Sequence, residues 1–289
     1  MSFSTDVKEE LSKINNLANK SCVKAEMIGY LITNNISESR KCIKYSTANQ
    51  YNINRFAKLL KNLDINKYDI SIVGKKFVIK LDKTESMRLN ELYLSYKIGE
   101  NEGEEKAYIR GAFLGSGSIN NPKNKYHLEM ILKNSEKADN VLNILKRYDI
   151  NLKKLNQNEE NLKCSIYSKD GEEISKFLAF IGANSAVLKF EEIRVYRDMR
   201  NNVNRLVNCE TANLAKTVDA GVKQVSVINK LKKTGKFNSL PDNLKELADL
   251  RLKNPESSLI ELGKMLKEPI GKSGVNYRMK KILELGEEQ

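Results

Sequence analysis

The sequence predicts an α+β chain: a duplicated α/β domain over 1–195, a basic helical connector over 196–236 and an all-α domain over 237–289. Three observations predict it. A helical segment with small residues occurs twice, as KAEMIGYLITNNI (24–36) and KAYIRGAFLGSGSIN (106–120). Each copy is followed by the same series of strand, helix and hairpin. Beyond the second series the pattern is helical to the C-terminus. At 289 residues the chain can bury a substantial core divided among two or three domains.

The first unit covers about 20–96. After its opening helix, KCIKYST reads as a strand, NQYNINRFAKLLKNL as a helix, and DISIV with KFVIKL as a hairpin around Gly74. The second unit covers about 106–182. KYHLEMILK reads as a strand, SEKADNVLNILKRYD as a helix, NLKKL with LKCSIYS as a hairpin, and GEEISKFLAFIG as a closing helix. Two such units imply a pseudo-twofold domain whose opening helices pack together. Small residues at that seam, Gly29 and Gly111, let the backbones approach closely.

In the connector, NCETANLAKTVDAGVKQVSVINKLKK reads as one helix. Leu214, Val218, Val222, Val225, Ile228 and Leu231 mark its apolar face, Thr211 or Asn208 could cap its start, and Gly235 lies past its end. From Arg200 to Lys236 eight Lys/Arg stand against Glu210 and Asp219. Lys230, Lys232 and Lys233 crowd the last turn, where they complement the helix dipole and could also hold a phosphate. LPDNLKELADLRLKNP supplies another short helix.

The last 30 residues read as two helices joined by a tight turn. Ser258 with Glu261 forms a capping box, and Leu259, Leu262 and Leu266 keep helical spacing. Pro269 stops that helix, Gly271 permits a change of direction, and Ser273 can cap the next one. Val275, Met279, Ile282 and Leu283 form the apolar stripe of the final helix. Ser273, Asn276, Tyr277, Lys280 and Lys281 fall outside the stripe, with Arg278 on a flank. One packed face and one face of donors is what a helix needs to enter the major groove, so the unit reads as a helix-turn-helix with duplex DNA as its ligand. Arg and Lys suit guanine edges and phosphates, and Asn suits adenine. An ordinary helical hairpin with a solvated basic face is the competing reading. GKS at 271–273 is not a phosphate loop: Leu266 stands where the motif needs its first glycine, and a helix precedes it where a strand is needed.

Composition narrows the function classes. The formal charge is +13 and the isoelectric point near 9.3, which suits a polyanionic partner. Cys22, Cys42, Cys164 and Cys209 are scattered, and His127 is the single histidine, read as half-buried in a strand. A Cys/His metal site or a histidine-based triad is therefore not expected, nor is any cofactor. No apolar run reaches membrane-spanning length, and free thiols without an export signal indicate the cytoplasm.

IRGAFLGSGSI is similar to the opening motif of the LAGLIDADG homing endonucleases. In that family the late Asp of each motif binds divalent metal, and the pair neutralises charge on the attacking and leaving oxygens. Here the matching positions are Ser116 and, by a looser alignment, Asn34, neither a carboxylate. Glu26, Glu38 and Glu129 lie nearby in sequence, but none at the expected helix end. Longer segments resemble one family more closely: VNCETANLAKT, LPDNLKELADLRLKNPESSLIELG, GKSGVNYRMKK and RGAFLGSGSINNPKNKYHLE are similar to signatures of the WhiA family. That resemblance covers essentially the whole chain. It implies a degenerate LAGLIDADG domain without catalytic acids, a helix-turn-helix domain related to region 4 of primary sigma factors, and a bacterial transcription regulator. It also implies a role in sporulation septation or in cell division and chromosome segregation. Tyr277 stands where the family more often has His.

The leading expectation is a duplex-DNA binder. Lys272, Ser273, Asn276, Tyr277, Arg278, Lys280 and Lys281 would contact DNA, with Asn276 and Arg278 on base edges and Lys230, Lys232 and Lys233 positioning the backbone. Two alternatives remain at this point: an active nuclease, and an interaction hub whose first domain docks a partner such as RNA polymerase. The internal duplication makes a monomer on an asymmetric, nucleoid-borne site feasible.

Overall fold

The computed structural model describes residues 2–39, 42–156 and 163–287. They divide into two compact units, Met1–Asp198 and Met199–Gln289.

The first unit opens with α1 (Phe3–Ser12), whose Phe3, Val7 and Leu11 are buried. Then follow α2 (Lys20–Leu31), β1 (Ile36–Ser39), β2 (Cys42–Thr47), α3 (Gln50–Asn62), β3 (Tyr68–Val73), β4 (Lys76–Leu81) and α4 (Lys83–Ser95). The second half repeats the order with α5 (Glu102–Ser116), β5 (Ser118–Ile119), β6 (Leu128–Leu132), α6 (Ser135–Arg147), β7 (Lys153–Asn156), β8 (Cys164–Ser168) and α7 (Gly171–Ile181). The two antiparallel sheets have the same strand order, β1-β2-β4-β3 and β5-β6-β8-β7.

The repetition extends to the caps. Asn19 and Asn101 accept the first free amides of α2 and α5, and Asn49 and Asn134 do the same for α3 and α6. Asp64 and Asp149 both leave the helix with positive φ, 59° and 55°. His127, expected within a strand, stands one residue before β6. Its Nδ1 is buried without a partner, and its Nε2 lies 3.8 Å from Glu129.

The α2–α5 seam explains the paired glycines. A Cβ on Gly29 would lie 2.1 Å from the Tyr108 carbonyl oxygen, and one on Gly111 would lie 2.0 Å from that of Glu26. The two contacts are reciprocal, as a twofold relation demands. Only hydrogen fits at either position. One core, drawn from both halves, fills the space between these helices and the sheets.

Helix α8 (Asn184–Lys233) is much longer than the expected helical stretch, and the boundary between the units falls within it. Asn208 and Thr211, read as candidate caps, are interior residues of this helix. Nothing in the preceding sequence breaks it, because no Pro or Gly occurs between Gly182 and Gly221. Leu214 and Val222, assigned to its apolar face, are exposed, while Ile228 and Leu231 are buried. The end of the expected connector is thus part of the second core. A 3₁₀ turn (Lys236–Ser239) leads to α9 (Asp242–Lys253), α10 (Leu259–Met265) and α11 (Lys272–Glu287).

Candidate nucleic-acid interface

The second unit is built to hold α11. Ser258 Oγ accepts from the Glu261 amide, while the Glu261 carboxylate accepts from the Ser258 amide at 2.7 Å, completing the capping box of α10. The backbone amide at Ser258 holds the Glu261 carboxyl below the usual carboxylate range. At the turn, Ile270 N–H donates to the Gly263 carbonyl, and a Cβ on Gly263 would lie 2.3 Å from the Ile270 oxygen. Glycine at 263 is what lets α11 double back onto α10. Arg251, fully buried, donates through Nη1 to the carbonyls of Asn254, Pro255 and Ser257 and so fixes the loop between α9 and α10.

Val275, Met279 and Ile282 of α11 are buried against Leu262 and Leu266, the α9 residues Leu244 and Leu247, and Ile228 and Leu231 of α8. Burying such side chains stabilises by about 1.5–3 kcal/mol each, which fixes the helix's rotation. The other face is left to solvent. Lys272, Ser273, Asn276, Tyr277, Lys280 and Lys281 are exposed, and Arg278 is half-buried at the margin. Lys280 lies 3.7 Å from Glu284, and the Lys281 ammonium stands 4.7 Å from the Tyr277 ring centre. Ser273 does not cap the helix: α11 begins at Lys272, with the Val275 amide bonded to the Gly271 carbonyl, so Ser273 belongs to the first turn.

The three lysines at the end of α8 differ from one another. Lys230 donates to the Gly286 carbonyl at 3.1 Å, which ties it to the C-terminal end of α11. Lys232 pairs with Asp249 at 2.8 Å and covers the Phe237 ring. Lys233 is exposed. Sequence spacing could not separate them, because their partners are 17 to 56 residues away. The sequence reading also missed a groove of about 500 Å³ in which Arg278 and Lys281 meet Pro241, Asn243 and Ile270. Its only sequence signal is the LPDN entry to α9.

In the first unit, the positions that could hold catalytic acids do other work. Ser116 Oγ accepts from the Ile131 amide at 3.2 Å, and the Asn34 amide donates to the Ile131 carbonyl. Glu26, a nearby carboxylate, is fully buried between Arg55 and Arg110. Burial opposes its ionisation, but hydrogen bonds from Arg55 and the charge of Arg110 outweigh that and hold the carboxyl below the usual range. Glu129 accepts from the Ser165 hydroxyl. Among the described residues there is no group of three His, Cys, Asp or Glu side chains able to hold a metal ion.

A duplicated LAGLIDADG-like core with neutral side chains in place of its two motif acids, followed by a helix-turn-helix unit, defines the class. Family models agree: the WhiA LAGLIDADG-like domain matches residues 105–200 and the WhiA C-terminal HTH domain matches 203–286. "Probable cell division protein WhiA" of Clostridium tetani is 40% identical over all of this chain and 98% of its own length. The protein of the same name from Clostridium acetobutylicum is 45% identical over 77% of this chain and 72% of its own. A solved structure, "Crystal structure of full-length DUF199/WhiA from Thermatoga maritima", matches with TM-score 0.63 at 26% identity, over 99% of this chain and 98% of that one. The chain belongs to the WhiA family.

Proposed function

We propose that this protein is a duplex-DNA-binding transcription regulator acting in bacterial cell division, with α11 as its recognition helix. The observation that carries the reading is the division of α11 into a buried stripe and an exposed face with Lys272, Ser273, Asn276, Tyr277, Lys280 and Lys281. Arg278 and Asn276 would address base edges, and the lysines phosphates. Lys233 is the member of the α8 cluster free to add a phosphate contact. Binding DNA would place the protein on the nucleoid. The relatives' name supports the link to cell division. No helix among the described residues is long and apolar enough to cross a membrane. The first unit acts in this reading as a non-cleaving scaffold.

The deciding experiment is equilibrium selection of random-sequence duplexes by the intact protein at near-physiological salt. Enrichment of a defined motif, lost in Arg278→Ala/Lys281→Ala, supports a regulator that reads DNA through α11. Tight, salt-sensitive binding without enrichment would replace it with a chromosome-associated factor directed by other proteins. Metal-dependent cleavage of supercoiled plasmid, abolished by EDTA, would restore the nuclease reading.

A further inference from the structure

The twofold relation within the first unit is broken at one buried place. Arg55 of α3 and Asn140 of α6 stand the same number of residues past their capping asparagines, Asn49 and Asn134. Glu26 of α2 and Tyr108 of α5 stand the same number past Asn19 and Asn101. In the first half, the Arg55 guanidinium fills the space between α3, α2 and the preceding loop. It binds Glu26 through Nε at 2.7 Å and Nη2 at 2.9 Å, the Ile14 carbonyl at 2.8 Å, and Asn16 Oδ1. In the second half both partners of that ion pair are gone. A short amide replaces the arginine, and a phenol replaces the carboxylate. The equivalent space is open, a cavity of about 530 Å³.

The lining says what that space can hold. Tyr93, Tyr96 and Tyr108 line it with three phenol rings, together with the buried Ile28 and Ile32. Asn140 and Asn143 add two amides, each able to donate and accept. Three cations, Lys97, Lys137 and Arg147, line it with one carboxylate, Glu100, and Glu104 accepts from the Tyr96 hydroxyl at 3.1 Å. Lys137 lies 3.2 Å from Glu136, and Arg147 binds Glu105, yet each keeps donors beyond those pairs. The volume falls within the range of about 300–1,000 Å³ usual for small-molecule sites. Flat aromatic walls suit a planar ring, paired amides suit a heterocycle edge, and ammonium and guanidinium groups suit phosphate oxygens.

We propose that this cavity is a binding site for a nucleoside phosphate. The site lies wholly in the first unit and does not depend on the DNA-binding reading. It is tested by calorimetric titration of the full chain with ATP, GTP, adenosine and inorganic triphosphate in separate arms. Two variants carry the test. Tyr108→Glu/Asn140→Arg installs the ion pair of the first half and closes the space with a solution the fold already uses. Lys137→Ala removes a cation near the surface and keeps the test decisive if the double variant does not fold.

The expected result is saturable binding of a nucleotide, weakened about ten-fold or more in each folded variant and unchanged in Arg278→Ala/Lys281→Ala. Weaker binding of adenosine and of triphosphate than of the whole nucleotide is expected, because the site would grip both parts. Four outcomes would overturn the proposal: no saturable binding of either nucleotide, equal binding by the closed and parent proteins, binding lost only in the α11 variant, or triphosphate binding as tightly as the nucleotides.

Discussion

Asn34 and Ser116 meet at a single residue: the Asn34 amide donates to the Ile131 carbonyl, and the Ile131 amide donates to Ser116 Oγ. The ends of the two opening helices are therefore neighbours across one strand residue, where paired carboxylates would cooperate on a metal ion. Asn34 Oδ1 is buried there without a partner. Asn34→Asp/Ser116→Asp should lose stability in EDTA at neutral pH, because two carboxylates are forced together, and regain it with millimolar Mn²⁺ as the ion binds the folded state alone. The parent should show neither effect. Thermal melts of both proteins with and without the metal check this. A double variant indifferent to Mn²⁺ would mean that the scaffold has lost the geometry as well as the acids.

The buried Glu26–Arg55 pair predicts an acid-sensitive first unit. Its carboxyl is held below the unfolded value, so its contribution is fully present above about pH 4.3, and it is lost as pH falls through the lower folded value. Arg55→Leu should cost about 3–5 kcal/mol, since it leaves a buried carboxylate with Arg110 as its remaining cation. In that variant the acid limb of stability should flatten as well. Urea titrations of parent and variant between pH 3 and 7 measure both effects.

Gly29→Ala and Gly111→Ala should each separate α2 from α5, because the new methyl meets backbone oxygen and not a side chain that can turn away. A loss of at least about 1–3 kcal/mol is expected for either. Gly271→Ala is the control. Nothing lies within 4 Å of its Cβ position, so a change of about 1 kcal/mol or less is expected in the same denaturant melts.

How much could be read before the structure depended on the range of the interaction. The duplication, the capping box at Ser258 and the apolar stripe of α11 are local patterns, and the sequence displays them directly. The seam was legible too, since Gly29 and Gly111 recur at matching places in a repeated motif. The fate of Glu26 was not: it is set by Arg55 and Arg110, distant in sequence and brought in by two other helices. The partners of Lys230 and Lys232 were hidden for the same reason: Gly286 and Asp249 lie far along the chain. The start of α8 was misjudged because Asn208 and Thr211 are good caps only where a helix begins. With no breaker upstream, the helix simply continues through them.

That difference among the lysines gives the sharpest test of the interface. If Lys233 meets a phosphate, Lys233→Ala should weaken binding about equally on specific and random duplexes and reduce the salt slope by about one. Lys230→Ala should leave the slope nearly unchanged and instead lower the stability of the second unit, because it removes a donor from the Gly286 carbonyl at the end of α11. Arg278→Ala should reduce binding to the selected motif more than to random duplex, a discrimination worth about 1–3 kcal/mol if the side chain reads a base. Binding isotherms for the three variants at several salt concentrations, beside their denaturation curves, separate these roles. Equal losses on both duplexes for Arg278→Ala would move that residue to the phosphate contacts and leave Asn276 as the base-reading candidate on α11.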